Sequence, residues 1–281
     1  MKRIFLRLVC FSLFLSVSIL FAQDEPTKKV NNFKIGFEFG MNVMEGESIK
    51  PEQIRQNHYS TYYYNDYYYD YHTDYGLFGD LATLKTTYLG IKPEYFVYNN
   101  RIGIASGLRF TYASNSLVSD RNFFLWKLKE EGMNTYYVRI NNIRQDVSLL
   151  AIPLEIRFFP NKRELPFQHY FKIGSSFNFW IQEDSYIEFA DSKMEKYSEV
   201  IKKELPDRKN DFSVFVYASF GFKIGKLKEN YMIPWGNIEF QFPYMMVTKN
   251  SFTFVGQSYY GVGFQVSLQV PIGKNVPIGS K

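Results

Sequence analysis

Residues 147–182 read VSLLAIPLEIRFFPNKRELPFQHYFKIGSSFNFWIQ, and this stretch decides the fold. Apolar side chains occupy every second position in each half. In the first half, for example, Glu155 stands between Leu154 and Ile156. A period of two places successive side chains on opposite faces of a β-strand. Residues 160–166 are mostly polar and begin and end with proline, which is typical of a turn. The stretch therefore predicts a β-hairpin with one apolar face and one face of charged, amide or small residues.

The same alternation recurs along the chain and predicts eight strands. They cover residues 33–42, 87–98, 102–112, 147–159, 167–182, 212–224, 235–244 and 260–272. Connections after the first, third and fifth strands are long, whereas those after the second, fourth and sixth are short. The second long connection covers residues 113–145, and its residues 135–143 are a candidate extension of the following strand beyond the membrane. A tilted strand needs about 9–11 residues to cross a bilayer, and long outer loops opposite short periplasmic turns are typical of outer-membrane barrels. The pattern predicts an all-β protein, an eight-stranded antiparallel transmembrane β-barrel with long extracellular loops, short periplasmic turns and both termini periplasmic.

A soluble periplasmic ligand-binding β-barrel is the alternative, because its strands alternate in the same way with the apolar face turned inward. The interior of an eight-stranded barrel is just wide enough to be filled by side chains. With 19% aromatic residues, the apolar rows of this chain would overfill it. The opposite face suits a crowded interior better because it carries glycines. These are Gly103, Gly107, Gly174, Gly221, Gly261 and Gly263.

The N-terminus predicts export. Lys2, Arg3 and Arg7 precede a short apolar run, so residues 1–22 are interpreted as a cleavable signal peptide and residues 23–281 as a single barrel domain. An uncleaved anchor is the alternative. The single cysteine lies in the signal segment, which leaves no disulfide in the mature chain. The net charge of +5 includes the three cations of this segment and gives no support to nucleic-acid binding.

If the apolar face meets outer-membrane lipid, the charged side chains of the strands lie inside the barrel. Buried charges need partners, so we expect them to form a network of ion pairs and hydrogen bonds. A structural network that fills the lumen is the favoured interpretation, and a narrow ion path is the alternative. The residues assigned to the network are Lys34, Glu38, Lys92, Glu94, Arg109, Glu155, Arg157, Lys172, Lys223 and Glu239.

The first long connection contains a tyrosine-rich segment, residues 58–75, with the sequence HYSTYYYNDYYYDYHTDY. Tyrosine offers a large contact area with a polar tip, which suits recognition of a surface glycan or a protein partner. Packing on the barrel rim or on lipid headgroups uses the same physics and is the alternative. The tyrosines assigned to a recognition loop are Tyr59, Tyr62, Tyr63, Tyr64, Tyr67, Tyr68, Tyr69, Tyr71 and Tyr75.

No pattern in the chain points to catalysis. His58, His72 and the neighbouring aspartates match no established metal-ligand spacing, and there is no nucleophile motif or phosphate-binding glycine loop. We therefore expect that the protein is not an enzyme and that it binds no cofactor and no metal. The predicted role is a structural or interaction scaffold, with a narrow pore or transport-associated barrel as the alternative.

The third long connection, residues 183–210, predicts a helix. Ser192 and Glu195 have the spacing of a capping box. An apolar stripe at helical spacing follows, formed by Met194, Tyr197, Ile201 and Leu205.

Four strand sequences carry a family resemblance: FKIGFEFGMN, AIPLEIRFFP, YFKIGSSFNFW and YYGVGFQVSLQV. Together with the exported N-terminus, they resemble the PorT-like family of outer-membrane β-barrel proteins of Bacteroidota. The resemblance covers most of the mature chain and rests on strand patterns rather than on catalytic motifs. It implies an eight-stranded outer-membrane barrel.

Overall fold

The computed structural model describes the barrel strands and parts of their connections. The described residues are 33–47, 54–55, 81–98, 101–118, 123–128, 136–160, 167–205, 210–225, 235–248, 251–254 and 259–272. The predicted signal peptide, residues 1–22, and the tyrosine-rich segment, residues 58–75, lie outside them.

Eleven strand segments follow one another along the described residues. They are β1 (Phe33–Glu47), β2 (Ile54–Arg55), β3 (Leu81–Val97), β4 (Ile102–Ser106), β5 (Leu108–Val118), β6 (Phe124–Leu128), β7 (Tyr136–Phe158), β8 (Phe167–Phe189), β9 (Phe212–Ile224), β10 (Trp235–Met246) and β11 (Tyr259–Pro271).

The strands close into a ring. β1 pairs antiparallel with both β3 and β11, so the first and last strands meet. β4 and β5 each pair with β3 and β7, and they are two halves of one barrel strand interrupted at Gly107. A Cβ at this glycine would lie 2.2 Å from the carbonyl oxygen of Ile91, so the interruption needs a residue without a side chain. β6 is a short addition beside β7, and β2 pairs only with β6, so the ring has eight antiparallel strands.

The outer surface of the ring is apolar. Side chains such as Phe37, Leu89, Ile173 and Phe240 point away from the barrel and are 49%, 60%, 51% and 54% exposed. Soluble monomers rarely expose apolar patches larger than a few hundred Å². Here the apolar surface surrounds the barrel, while charged residues fill its interior. The prediction of an eight-stranded transmembrane β-barrel is thereby confirmed, and the faces are oriented opposite to those of a soluble ligand-binding barrel.

Several strands extend further than predicted. β9 has the predicted bounds, but β7 and β8 each contain 23 residues. The predicted second connection, residues 113–145, in fact contains the end of β5, all of β6 and the start of β7. The predicted extension of the following strand over residues 135–143 is confirmed, since β7 begins at Tyr136 and continues across a register shift between Ile140 and Asn142.

The end of β8 also corrects a prediction, because residues 183–189 belong to this strand and not to the third connection. Residues 140–147 of β7 pair with residues 183–189 of β8, and residues 136–140 of β7 pair with β6. We call residues 136–147 and 183–189 together the ribbon. A bilayer needs about 9–11 residues of each strand. We therefore place the ribbon beyond the apolar surface.

A 3₁₀ turn, Ser192–Tyr197, and a short helix α1, Ser198–Glu204, follow the ribbon. The cap is not the predicted Ser192: the side chain of Asp191 accepts a hydrogen bond from the backbone N–H of Lys193 at 3.0 Å. Ile201 is fully buried, as the apolar stripe predicts. Among the described residues, no helix is both long and apolar enough to span a membrane.

The antiparallel order separates the connections into two groups. The short connections after β3, β7 and β9 lie at one end of the barrel, here called the turn end. In the first of them, the backbone N–H of Arg101 donates to the carbonyl oxygen of Tyr98 at 3.1 Å. The connections after β1, β5, β8 and β10 lie at the opposite end, the loop end, together with the ribbon and α1.

Candidate functional site

The structure places all of the predicted interior charges inside the barrel. Each of these ten side chains is buried. Eight of them, contributed by β1, β3, β5, β7, β8 and β10, contact one another in ion pairs, and we call these eight the charged layer. They are Glu38, Lys92, Glu94, Arg109, Glu155, Arg157, Lys172 and Glu239.

Glu155 is the centre of the charged layer. Its carboxylate accepts from Arg109 Nη2 at 3.1 Å and from Lys172 Nζ at 3.3 Å, and it is also paired with Lys92. The hydroxyl of Tyr217 donates to the same carboxylate at 2.5 Å. One acidic side chain thus joins four neighbours from four other barrel strands. Such convergence compensates the cost of burying a carboxylate.

The other carboxylates are held in the same way. Glu38 accepts from Lys92 Nζ at 2.8 Å and from Arg109 Nε at 2.7 Å. Arg157 bridges two carboxylates, with Nη1 3.0 Å from Glu94 and Nη2 3.0 Å from Glu239. The planar guanidinium group suits this double contact because its donors form a rigid fork. Four carboxylates therefore face four cations, so that the layer as a whole is neutral.

Tyrosines lie flat against glycines on the barrel wall. Tyr88 stands opposite Gly40, and Tyr217 stands opposite Gly174, each pair on neighbouring strands. A Cβ at Gly40 would lie 2.1 Å from Tyr88 Cζ, and one at Gly174 would lie 2.6 Å from Tyr217 Cε2. The same relation holds for Tyr170 and its partner glycine on β9. The missing side chains give the rings room to lie along the wall.

This placement carries the tyrosine hydroxyls to the polar groups of the interior. The hydroxyl of Tyr170 donates to Glu239 at 2.7 Å, and that of Tyr88 donates to Gln265 at 2.9 Å. The rings also cover cations: Arg109 lies 4.2 Å from the centroid of Tyr88, and Arg157 lies 4.5 Å from that of Tyr170. Cation–π contacts of this kind are strongest where water is excluded.

The two remaining predicted charges lie nearer the turn end. Lys34 Nζ is 4.5 Å from the ring centroid of Phe96, and Lys223 Nζ donates to Gln168 at 3.1 Å. Phe96 packs against Phe159 with ring centroids 5.9 Å apart. The interior is therefore aromatic as well as charged towards this end.

An apolar cluster fills the barrel at the loop end. It combines inward-facing strand residues with residues from the connections. Its buried members are Met44, Ala82, Leu84, Ala113, Leu117, Phe124, Trp126, Leu128, Val138, Ile140, Ile143, Val147, Leu149, Ile201, Phe215, Tyr217, Tyr244, Met246, Phe252 and Phe254. Trp180 packs against Phe252 with ring centroids 5.2 Å apart, and the indole N–H of Trp126 donates to Glu204 at 2.9 Å. The helix and the last connection thereby close the loop end.

The arrangement is suited to structural closure of the lumen. The cations of the charged layer are engaged by carboxylates, and the tyrosine hydroxyls are engaged by acceptors. Within the described ranges there is no group of three or more histidine, cysteine, aspartate or glutamate residues placed to hold a metal ion. What the interior does is link the strands across the barrel and occupy its lumen.

The sequence did not reveal two parts of this interior. The tyrosine–glycine pairs were missed because they depend on the register between strands. A usable signal was nevertheless present, because inward-facing tyrosines on one strand occur together with inward-facing glycines on the next. The apolar cluster was missed because Trp126 lies in β6, which was predicted as part of a connection, and because Phe252 and Phe254 lie in a connection without strand periodicity. The tyrosine-rich segment remains a prediction, since it lies outside the described residues.

The fold and the filled interior define a transmembrane β-barrel. No protein-family model matches the chain, so its resemblance to the PorT-like family stays a prediction. No curated protein matches its sequence. Among solved structures, the chain is similar to the outer membrane protein OprG from Pseudomonas aeruginosa, with a TM-score of 0.44 and 12% identity over 88% of this chain and 98% of that one. The assignment as a barrel rests on the closed ring and on its apolar exterior.

Proposed function

We propose that this protein is an outer-membrane barrel with a closed lumen that serves as a scaffold for surface recognition. The observation that carries the proposal is the filled interior. The charged layer occupies the barrel, and the apolar cluster covers it at the loop end. A barrel filled in this way anchors and displays its connections instead of conducting solutes.

The orientation belongs to the same proposal. Outer-membrane barrels place short turns in the periplasm and long loops outside the cell. By this rule the turn end and both termini are periplasmic, and the ribbon, α1 and the tyrosine-rich segment are extracellular. A C-terminal epitope tag should be inaccessible to antibody on intact cells and become accessible after permeabilisation. Recovery of the protein in the soluble periplasm, or staining of intact cells, would contradict this orientation.

Recognition is assigned first to the tyrosine-rich segment, with a surface glycan or a protein as the partner. The test compares the wild type with a variant lacking residues 58–75 and with one in which the tyrosines of that segment are replaced by serine. Both variants should keep the heat-dependent gel shift of a folded barrel and lose the partner that co-purifies with the wild type. Equal partner recovery from all three proteins would overturn the role of this segment.

A narrow pore is the second candidate, and one observation favours it. Towards the loop end from Arg109, the hydroxyl of Thr111, the amide of Asn115 and the Oε1 atom of Gln241 are buried without a hydrogen-bond partner among the described residues. Buried polar atoms of this kind commonly bind water. Potassium release from loaded liposomes decides between the candidates: release no faster than from liposomes without protein supports closure, and rapid release supports the pore.

A further inference from the structure

A cavity lies on the ribbon, outside the barrel, and none of its lining residues belongs to the tyrosine-rich segment. Its volume is about 580 Å³, within the range of small-molecule sites. Its walls are formed by two outward residues of β7, the end of β8, the 3₁₀ turn and the first residue of α1. The lining residues are Asn142, Arg144, Tyr186, Ile187, Glu188, Phe189, Glu195 and Ser198.

The charged group on one wall is held in place. Arg144 Nη2 is 3.1 Å from Asp146, and the guanidinium carbon lies 5.0 Å from the ring centroid of Tyr186. Asp146 is fixed in turn by the hydroxyl of Ser114, which donates to it at 2.7 Å. These contacts leave an aromatic ring, 51% exposed, beside a guanidinium that is already paired with a carboxylate.

The remaining polar groups of the cavity are mainly acceptors. No cation of the described residues forms an ion pair with Glu188 or Glu195, and both carboxylates line the cavity. The Oδ1 atom of Asn142 is buried and has no hydrogen-bond partner within the described part of the chain. The cavity therefore offers three acceptor groups close to an aromatic wall.

This chemistry selects among ligand classes. An anion would meet Glu188 and Glu195, while the guanidinium of Arg144 is already engaged by Asp146. A cation would meet that guanidinium on the aromatic wall. A neutral molecule rich in hydroxyl groups avoids both conflicts, because its hydroxyls donate to the acceptors and its C–H face packs on the tyrosine ring.

We propose that this cavity binds a short neutral saccharide. The site goes beyond the proposed scaffold role because its lining includes no residue of the tyrosine-rich segment. Only its exposure to the outside of the cell rests on the orientation proposed above. Binding to the purified protein does not depend on that orientation or on closure of the lumen, so the two proposals can fail separately.

The test uses the full mature chain in micelles of lauryldimethylamine oxide, a detergent without a sugar headgroup. Trisaccharides of glucose, mannose, galactose and N-acetylglucosamine are the probes, and trilysine is the charged comparison. Binding is measured by saturation-transfer NMR and calorimetry. We expect at least one trisaccharide to bind at millimolar concentration or below, and trilysine not to compete with it.

Tyr186→Ala should weaken saccharide binding about tenfold, because an aromatic stacking contact raises affinity by up to about that factor. Tyr137→Ala is the matched control, because Tyr137 is a comparably exposed tyrosine of the ribbon that does not line the cavity. Glu188→Gln tests the acceptors and should also weaken binding while the gel shift of the folded barrel is unchanged. Failure of every trisaccharide to bind, displacement by trilysine, or equal binding by the two tyrosine variants would overturn the proposal.

Discussion

The charged layer and the apolar cluster occupy the same barrel and are built in opposite ways. The charged layer consists only of strand residues. Along each strand these residues alternate with lipid-facing side chains. The apolar cluster mixes strand residues with Ile201, Phe252 and Phe254 from the connections. Where the exterior is apolar, the interior is polar. Near the ribbon, where Arg144 and Glu183 are exposed, the interior is apolar as in a soluble protein.

This difference indicates which part of the barrel carries which task. The polar groups of the charged layer are buried away from water. Their contribution to stability therefore depends on pairing with one another. The apolar cluster gains its energy from burial of apolar surface, which requires water on the outside. We infer that the charged layer holds the membrane-spanning part together, whereas the apolar cluster attaches the extramembrane part.

The largest effect is expected at the centre of the charged layer. Glu155→Gln removes the charge that Lys92, Arg109 and Lys172 share, and it leaves excess positive charge in a dry interior. Removing one partner of a buried ion pair costs about 3–5 kcal/mol. Denaturant titrations in lipid vesicles should show a loss of this size.

The control for this substitution is Glu199→Gln. Glu199 pairs with Lys202 at 3.0 Å, but its side chain is 77% exposed. Exposed pairs contribute about 1 kcal/mol or less. Equal effects of the two substitutions would mean that the charged layer is solvated and not sealed.

The second effect tests the outward face beside Glu155. Leu154→Arg places a charge on the lipid-facing side of the same strand, and it should cost about 2–4 kcal/mol near the bilayer midplane. Tyr137→Arg is a matched control on β7, because Leu154 and Tyr137 are both 48% exposed. The control should change the unfolding free energy by less than about 1 kcal/mol, as expected outside the hydrocarbon. Similar losses for both variants would place the ribbon inside the membrane.

The third effect concerns the tyrosine–glycine pairs. Gly174→Ala would place a methyl group 2.6 Å from Tyr217, and displacing this ring also disturbs its hydrogen bond to Glu155. Overpacking of an interior costs about 1–3 kcal/mol. Gly236→Ala is the control, since no atom lies within 4 Å of the added Cβ there. If both substitutions prove neutral in vesicle unfolding, the tyrosine rings do not depend on the glycines.

The smallest effect on the barrel itself is expected from the apolar cluster. Ile201→Ala creates a cavity beneath α1, so α1 should loosen before the strands separate. The free energy of barrel unfolding should fall by less than about 1 kcal/mol, while limited proteolysis within residues 190–211 becomes faster. A loss as large as that of Glu155→Gln would show that the two regions unfold as one unit.

The sequence predicted the membrane-spanning part well because lipid imposes a strict rule on it. An apolar exterior forces every second residue to be apolar, so the position of Glu155 between Leu154 and Ile156 already indicates which side chain lies inside. The bounds of β9 follow from the same rule. The pairing partners within the charged layer did not follow, since they depend on the register of strands far apart in the sequence.

Beyond the membrane this rule no longer applies. Of the ribbon, the sequence indicated a strand extension over residues 135–143, whereas residues 183–189 expose polar side chains and were assigned to a connection. The cavity on the ribbon brings residues of β7 together with Glu195 of the 3₁₀ turn and Ser198 of α1. No spacing pattern in the sequence indicates that these residues lie close together. The apolar stripe that includes Ile201 was predictable, but the surface that it covers was not.

Single-channel recording in planar bilayers tests the closed lumen most directly. We expect that the wild-type barrel, inserted and folded, shows no discrete conductance steps, because the charged layer and the apolar cluster fill its interior. Inserted protein can be verified by the gel shift of the folded barrel recovered from the same preparation. Stable, reproducible open-channel currents from the wild type would contradict the account.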